Sequence, residues 1–322
     1  MARTALIFGI SGQDGGYLAR LLLERGYAVH GTSRDCDIAS FRNLVILGIR
    51  DRVQVHSATL HDFRSIVQVI RSVKPDEIYN LSAQSAVSLS FEQPVETIDS
   101  ILNGTLAILE AIRFLGVDAR FYHASSSESF GNTLDAPATE TTAFRPCSPY
   151  GVAKAAAHWM VANYRDAYGL YACSGILFNH ESPLRPARFV TRKIIRGAIA
   201  VAQGKAKTLE LGNLAVARDW GWAPEYVDAM WRMLQLDKPD DFVIATGRMH
   251  ALEDFVQMAF AHFGLDWREH VVQGTTHLRP MDIHRSVGNP AKAQACLGWK
   301  AETLMPALVE RLIEAELALP VP

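Results

Sequence analysis

Cysteine is scarce and scattered in this chain. Its four thiols, Cys36, Cys147, Cys173 and Cys296, form no CxxC pair and have no histidines at ligand spacing beside them. That excludes a disulfide framework and a zinc site, so reduced thiols in a cytoplasm are expected and a bound metal is not. Charge of one sign is missing too: 32 basic side chains against 34 acidic ones leave a formal net charge of −2. No global basic field therefore invites nucleic acid or a membrane surface. No apolar run reaches the roughly 18 residues of a membrane span. The opening MARTALIFGISGQDGG is interrupted by Gly, Gln and Asp where a secretory leader would carry its cleavage site. Neither a repeat nor a low-complexity linker divides the chain. What is present is ample core material, 49% hydrophobic residues in 322, enough for one large α/β unit or two domains acting on small polar substrates.

Apolar strand-like runs alternate with helical stretches through the first half. Strands are expected at Thr4–Gly9, Tyr27–Ser33, Val53–Ala58, Glu77–Ser82, Arg120–Ser125 and Tyr171–Asn179. Helices are expected at about 15–25, 63–73, 95–115 and from Tyr150 to Tyr168. This rhythm predicts an α/β, Rossmann-type doubly wound parallel sheet. After residue 179 the rhythm fails, which predicts a smaller C-terminal α/β substrate-binding lobe. The expected division is 1–178 with 213–247 for the dinucleotide-binding domain, Asp241–Thr246 returning as a strand, and 179–212 with 248–322 for the lobe.

Gly9, Gly12 and Gly15 form GxxGxxG between the first strand and the first helix. Glycine there lets the backbone turn tightly and approach a pyrophosphate, which the helix N-terminus then stabilises. The turn after the second strand, Ser33-Arg34-Asp35 with Asp37 beyond, reads the adenosine ribose. Arg34 suits a 2′-phosphate and Asp35 or Asp37 a free diol, so the reading favours NADP and keeps NAD open. Downstream, FYHASSSESFG (Phe121–Gly131) and SPYGVAKAAAHW (Ser148–Trp159) carry Ser126, Glu128, Tyr150 and Lys154. A Tyr four residues before a Lys on a helix shares its face, and the ammonium is expected to lower the phenol toward neutrality. Such a phenol exchanges a proton with a sugar hydroxyl while hydride moves at the same carbon, with Ser126 in reach. Glu128 adds a carboxylate that simple hydride transfer does not need. Cys147 reads as inert packing.

These residues, with GISGQDGGYLARLLLERGYAVHG (9–31), KPDEIYNLSAQSAVSLSFEQP (74–94), GILFNHESPLR (175–185), FVTRKI (189–194), GNLAVARDWGWAPEYVDAMWRMLQ (212–235) and GNPAKAQACLGWK (288–300), resemble the extended short-chain dehydrogenase/reductase family. Within it the chain is most similar to the GDP-mannose 4,6-dehydratases. The resemblance implies that Tyr150 takes the O-4 proton as the C-4 hydride leaves, and that Lys154 holds the cofactor ribose. Ser126, where Thr is usual, would bond O-4. Glu128 would remove the C-5 proton and help water leave C-6 before the hydride returns there. It implies a GDP-sugar held by Ser85, Glu128, Asn179, Arg192, Lys193, Arg218, Arg279 and Asp282. The cofactor would be held by the glycine turn with Ser11, Gln13 and Asp14, and by Arg34, Thr59, Leu60, Leu81, Ala83, Gln84, Tyr150, Lys154, His180 and Arg185. For His180 a satisfied core histidine is the equal alternative.

Departures accompany the match. Asp35, Cys36, Asp37 and Ile38 stand where the family has an Arg-Arg-Ser-Ser run that reaches a neighbouring subunit in tetramers, which implies a homodimer. Thr59-Leu60 replaces an Asp-Leu pair, Glu96 a Tyr, and Asp282 a Glu. Ser126 and the GTSRD turn also resemble GDP-4-keto-6-deoxymannose reductase, a net reductase at C-4 that shares the Ser, Glu, Tyr, Lys arrangement, so Glu128 alone does not separate the two. The NHESPLR and RDWG segments favour the dehydratase. A non-catalytic scaffold on the same fold is the third alternative.

Overall fold

A computed structural model describes residues 2–133, 136–274 and 279–318. The first half runs through β1 (Thr4–Phe8), β2 (Ala28–Ser33), β3 (Gln54–Ser57), β4 (Glu77–Asn80), β5 (Arg120–Ser126) and β6 (Ala172–Leu177). The second half adds β7 (Asn179–Glu181), β8 (Leu209–Leu211), β9 (Ala217–Trp222), β10 (Phe242–Ile244), β11 (Met249–Ala251), β12 (Val271–Gln273) and β13 (Arg285–Ser286). Seven of these strands form one sheet in the order β10-β6-β5-β4-β1-β2-β3, and every pair in it is parallel.

β1 explains why the sheet is covered on both faces. Its side chains alternate, so Ala5 and Ile7 enter one core with the helices Gln13–Glu24 and Ala223–Met233. Leu6 and Phe8 enter the opposite core with Phe63–Val73 and Gly104–Leu115. A strand buried on both sides reads as a continuous apolar run, as TALIF does. Strand order reverses between β1 and β4, and a crevice opens there beyond the strands' C-terminal ends.

Two expected elements differ in detail. The helix expected over 95–115 is Pro94–Ile98, a π turn at Asp99–Asn103, then Gly104–Leu115. Thr105 Oγ1 donates back to Ile101 O at 2.6 Å while accepting from Asn80 Nδ2 at 3.1 Å, a back-bond that loosens the regular ladder. The strand expected over 171–179 breaks at Phe178, whose N–H pairs with Ile244 O at 2.9 Å. Beyond it β7 leaves the sheet and pairs with β9. A separate core, including Ile194, Leu211, Trp220, Phe255 and Leu308, holds the second half together.

Ile7 is fully buried at the centre of the sheet. Ile7→Ala should cost about 2–5 kcal/mol in urea unfolding, whereas Ile38→Ala, at an 83% exposed position, should change stability by no more than about 0.5 kcal/mol.

Candidate active site

The glycine turn is shaped for close approach. Gly9 has φ +89°, and a Cβ there would meet the Leu81 carbonyl at 2.8 Å; one on Gly15 would meet Gly9 O at 2.3 Å. The turn is closed by the Gly12 N–H donating to Gly9 O at 3.1 Å, and Asn43 Nδ2 donates to Ser11 O at 3.0 Å. Beneath it, His180 Nε2 lies 2.9 Å from Asp14 Oδ2 and Nδ1 lies 2.7 Å from Phe178 O. Both ring nitrogens thus face acceptors. Gln13 joins the brace, donating to His180 O and accepting from Ser182 Oγ.

Burial pushes the His180 imidazolium down, but Asp14 outweighs it and the group ends raised. Burial likewise pushes Asp14 up, and His180 outweighs it, so that carboxyl ends lowered. His180 is therefore a satisfied buried histidine that braces the phosphate turn.

The second half of the site is built where β5 ends. Ser126 closes the strand, and its Oγ accepts from the Glu128 N–H at 3.3 Å in the short turn Ser127–Ser129. Ser148 caps the helix Pro149–Tyr168, its Oγ accepting from the Gly151 N–H at 3.0 Å. A Cβ on Gly151 would meet Glu128 O at 2.7 Å, so glycine is what lets Tyr150 sit beside the Glu128 turn. Lys154, one helical turn on, donates from Nζ to Ala124 O at 2.7 Å and lies 5.8 Å from the Tyr150 ring centre.

The expected lowering of the phenol by Lys154 is not met. Burial pushes Tyr150 up to about 12 against the pull of a Ser126 hydrogen bond, with the Glu128 charge adding to the rise. Burial also drops Lys154 to about 8, and the ammonium is aimed at a carbonyl rather than at the phenol. Glu128 is raised by burial, which exceeds the opposing pull of Arg218 and Arg279 and is reinforced by Asp282.

Those two arginines converge on one oxygen. Asp282 Oδ1 accepts from Arg218 Nη2 at 3.1 Å, Arg279 Nη1 at 3.2 Å and its neighbour's Ile283 N–H at 2.9 Å. A cavity of about 420 Å³ opens beside them, lined by Asn132, Asn213, Arg279, Pro280, Met281, Asp282 and His284. The sequence reading missed Asn132, Asn213 and His284, whose spacing carries no signal.

The other expected residues are dispersed. Arg192 gives its guanidinium to Glu316, at 2.6 and 2.8 Å, and to the carbonyls of Pro183 and Arg185. Lys193 is half-buried on the same helix. Gln84 binds Ala86 in its own loop and Thr97 on the helix Pro94–Ile98, and Ser85 beside it is exposed. Asn179 opens β7, half-buried. Arg34 is exposed in the turn after β2, where Asp35 Oδ1 accepts from the Asp37 N–H at 2.9 Å. Thr59 and Leu60 follow β3, Leu60 packing where Gly104 leaves room.

The residues fit a dinucleotide. The glycine turn leaves a cradle that side chains would fill, and Lys154 has donors beyond the one given to Ala124 O. Arg185 Nε is buried without a hydrogen-bond partner, although Glu181 Oε2 lies 3.4 Å away. A buried unsatisfied donor of that kind calls for an acceptor.

A family model described as GDP-mannose 4,6 dehydratase matches residues 6–312. GDP-mannose 4,6 dehydratase 1 of Arabidopsis thaliana is 44% identical over 327 residues, covering 98% of this chain and 90% of its own. GDP-mannose 4,6 dehydratase of Homo sapiens is 42% identical over 340 residues, covering 98% and 91%. Among solved structures, UDP-glucose 4-epimerase of Thermus thermophilus in complex with NAD superposes with a TM-score of 0.82 at 25% identity, covering 96% of this chain and 98% of that one.

The His180–Asp14 brace gives a pH test. A raised imidazole stabilises fully below its ordinary value of 6.5 and loses that contribution as pH rises through the folded value. A lowered carboxyl stabilises above its ordinary 3.8 and fails only as pH falls through the folded value. His180→Asn should therefore lower Tm most between those limits and progressively less in alkaline buffer, read by thermal melts across pH.

Proposed function

The chain belongs to the GDP-mannose 4,6-dehydratase family and is a sugar-nucleotide 4,6-dehydratase, a hydro-lyase; from that premise we propose that it converts GDP-mannose to GDP-4-keto-6-deoxymannose with NADP as its cofactor. When bound, the nicotinamide supplies reversible storage of one hydride, which leaves sugar C-4 and returns at C-6, so no external reductant is consumed. The chain's own residues move the protons. Tyr150 Oη takes the O-4 proton while Ser126 Oγ orients O-4. Glu128 removes the C-5 proton, acidified by the new ketone, and passes it to the C-6 hydroxyl, which departs as water. The proton first taken from O-4 returns at C-5 and closes the balance.

Glu128 is the observation that carries this reading. Elimination across C-5 and C-6 needs a base at C-5, which net reduction does not, and a carboxyl raised by burial is a better proton acceptor than an exposed one, although the 4-keto reductase shares the Ser, Glu, Tyr, Lys arrangement. Ser126 is what favours the second reading, net reduction at C-4. Arg218 and Arg279 are proposed to hold the diphosphate, since fixed guanidinium donors suit it. Arg192, Lys193, Asn179, Ser85 and Asp282 are proposed to complete the substrate site. The NADP preference rests on Arg34, an exposed cation in the turn after β2, where a 2′-phosphate would be read. The two-domain division given above, with the lobe holding the sugar nucleotide, belongs to the same proposal.

A homodimer is the proposed assembly. Val95, Ile98, Val152 and Trp159 are 71%, 37%, 49% and 63% exposed on two neighbouring helices, an apolar face that a second copy would cover. A cytoplasmic location is proposed on the four free cysteines.

Incubation with GDP-mannose and no added reductant should yield a 4-keto product. If the keto sugar is instead consumed with added NADPH and GDP-mannose is untouched, the reductase reading wins. Glu128→Gln should keep exchange of the C-4 hydrogen with labelled cofactor yet lower water loss by about 100-fold or more, followed by NMR of the products. Mass spectrometry of the cofactor released from purified protein decides NADP against NAD.

A further inference from the structure

The loop after β4 carries a strained residue that the proton transfers do not explain. Ala83 has φ +113°, a region that an L side chain rarely enters, so its surroundings must hold it there. The holding groups are on Gln84. Its Oε1 accepts from the Ala86 N–H, its Nε2 donates to Ala86 O at 2.8 Å and to Thr97 Oγ1 at 3.4 Å, and its backbone N–H donates to Ser100 Oγ at 3.4 Å. Both ends of the amide are occupied, by Ala86 in the loop and by Thr97 on the helix Pro94–Ile98.

Thr97 and Ser100 are buried, and they reach Gln84 from the place where the helix widens into the π turn Asp99–Asn103. Such turns insert a residue and re-aim side chains, often at functional sites. Ile101, in the same turn, forms a small cluster with Tyr150, Ala153 and Ala157, and Ala83 packs against that cluster. One widened turn thus supplies the hydroxyl that anchors Gln84 and the apolar surface on which Tyr150 rests.

We propose that Gln84, anchored by Thr97 and Ser100, is a positioning residue that acts through the strained Ala83 backbone to fix the Tyr150 ring at the site. This assigns Gln84 work that needs no contact with cofactor or sugar, and it rests on the role proposed above for Tyr150.

Glycine enters positive φ without a Cβ penalty, so the clamp should be dispensable once Ala83 is replaced by glycine. The experiment is a double-mutant cycle with Gln84→Ala and Ala83→Gly. In the wild-type background Gln84→Ala should lower kcat about tenfold with KM for GDP-mannose within about twofold, whereas in the Ala83→Gly background its additional cost should stay within about twofold. Equal losses in both backgrounds, or a loss confined to KM, overturn the proposal.

A readout free of turnover accompanies it: ultraviolet difference titration of the Tyr150 phenol, with Tyr150→Phe as the blank. Gln84→Ala should move the midpoint, and should move it less in the Ala83→Gly background; an unmoved midpoint also overturns the proposal. If thermal melts find Gln84→Ala poorly folded, Ser100→Ala, which removes only the anchor, takes its place in the cycle. A wild-type protein that leaves GDP-mannose untouched sinks the functional reading alone, since the titration still decides the positioning role.

Discussion

The contact between Gly151 and the Glu128 carbonyl is what the site's geometry depends on. A Cβ at Gly151 would come within 2.7 Å of that oxygen, closer than any side chain tolerates. Without one, the first turn of a 20-residue helix lies directly on the turn that ends β5. Tyr150 and Glu128, 22 positions apart by their numbers, then act on one small volume. The Ser148 cap and the Ser126 bond to the Glu128 N–H hold each side of that contact in place.

Burial sets the charges around it. Tyr150 and Glu128 are pushed up and Lys154 down, each toward its neutral form. Asp14 shows when a partner wins over burial. At 2.9 Å it keeps His180 raised, whereas its longer-range pull on Lys154 does not offset desolvation. Distance decides, because the Coulomb gain falls with separation while the burial cost does not. Under the glycine turn the Asp14–His180 pair therefore favours its charged forms, whereas at the other end Tyr150 and Glu128 keep their protons more tightly than usual and Lys154 less tightly.

The sheet was legible because its signal is local. TALIF, EIYN and RFYHASS are short apolar runs between turn residues, and each became a strand within a residue or two of its expected limits. That Tyr150 and Lys154 share one helix just after a serine-rich strand end was legible for the same reason, their four-residue spacing. The Arg192–Glu316 pair was not, since the partners lie 124 positions apart and no local pattern announces it. Gln84 sits in a motif-like loop, yet its partners Thr97 and Ser100 depend on a π turn that periodicity reads as ordinary helix. The phenol's rise was missed because spacing reports which groups are neighbours and says nothing about how dry they are.

The single Asp282 oxygen shared by Arg218 and Arg279 has a thermodynamic consequence. Two long cationic side chains that would otherwise sample many rotamers are already arrested, one of them nearly buried. An anion entering beside them meets donors whose freedom was surrendered when the chain folded, so its association loses less entropy than it would on an open surface. The same arrangement makes the carboxylate a competitor. Any such anion would have to displace an intramolecular partner, which would favour a doubly charged group over a singly charged one.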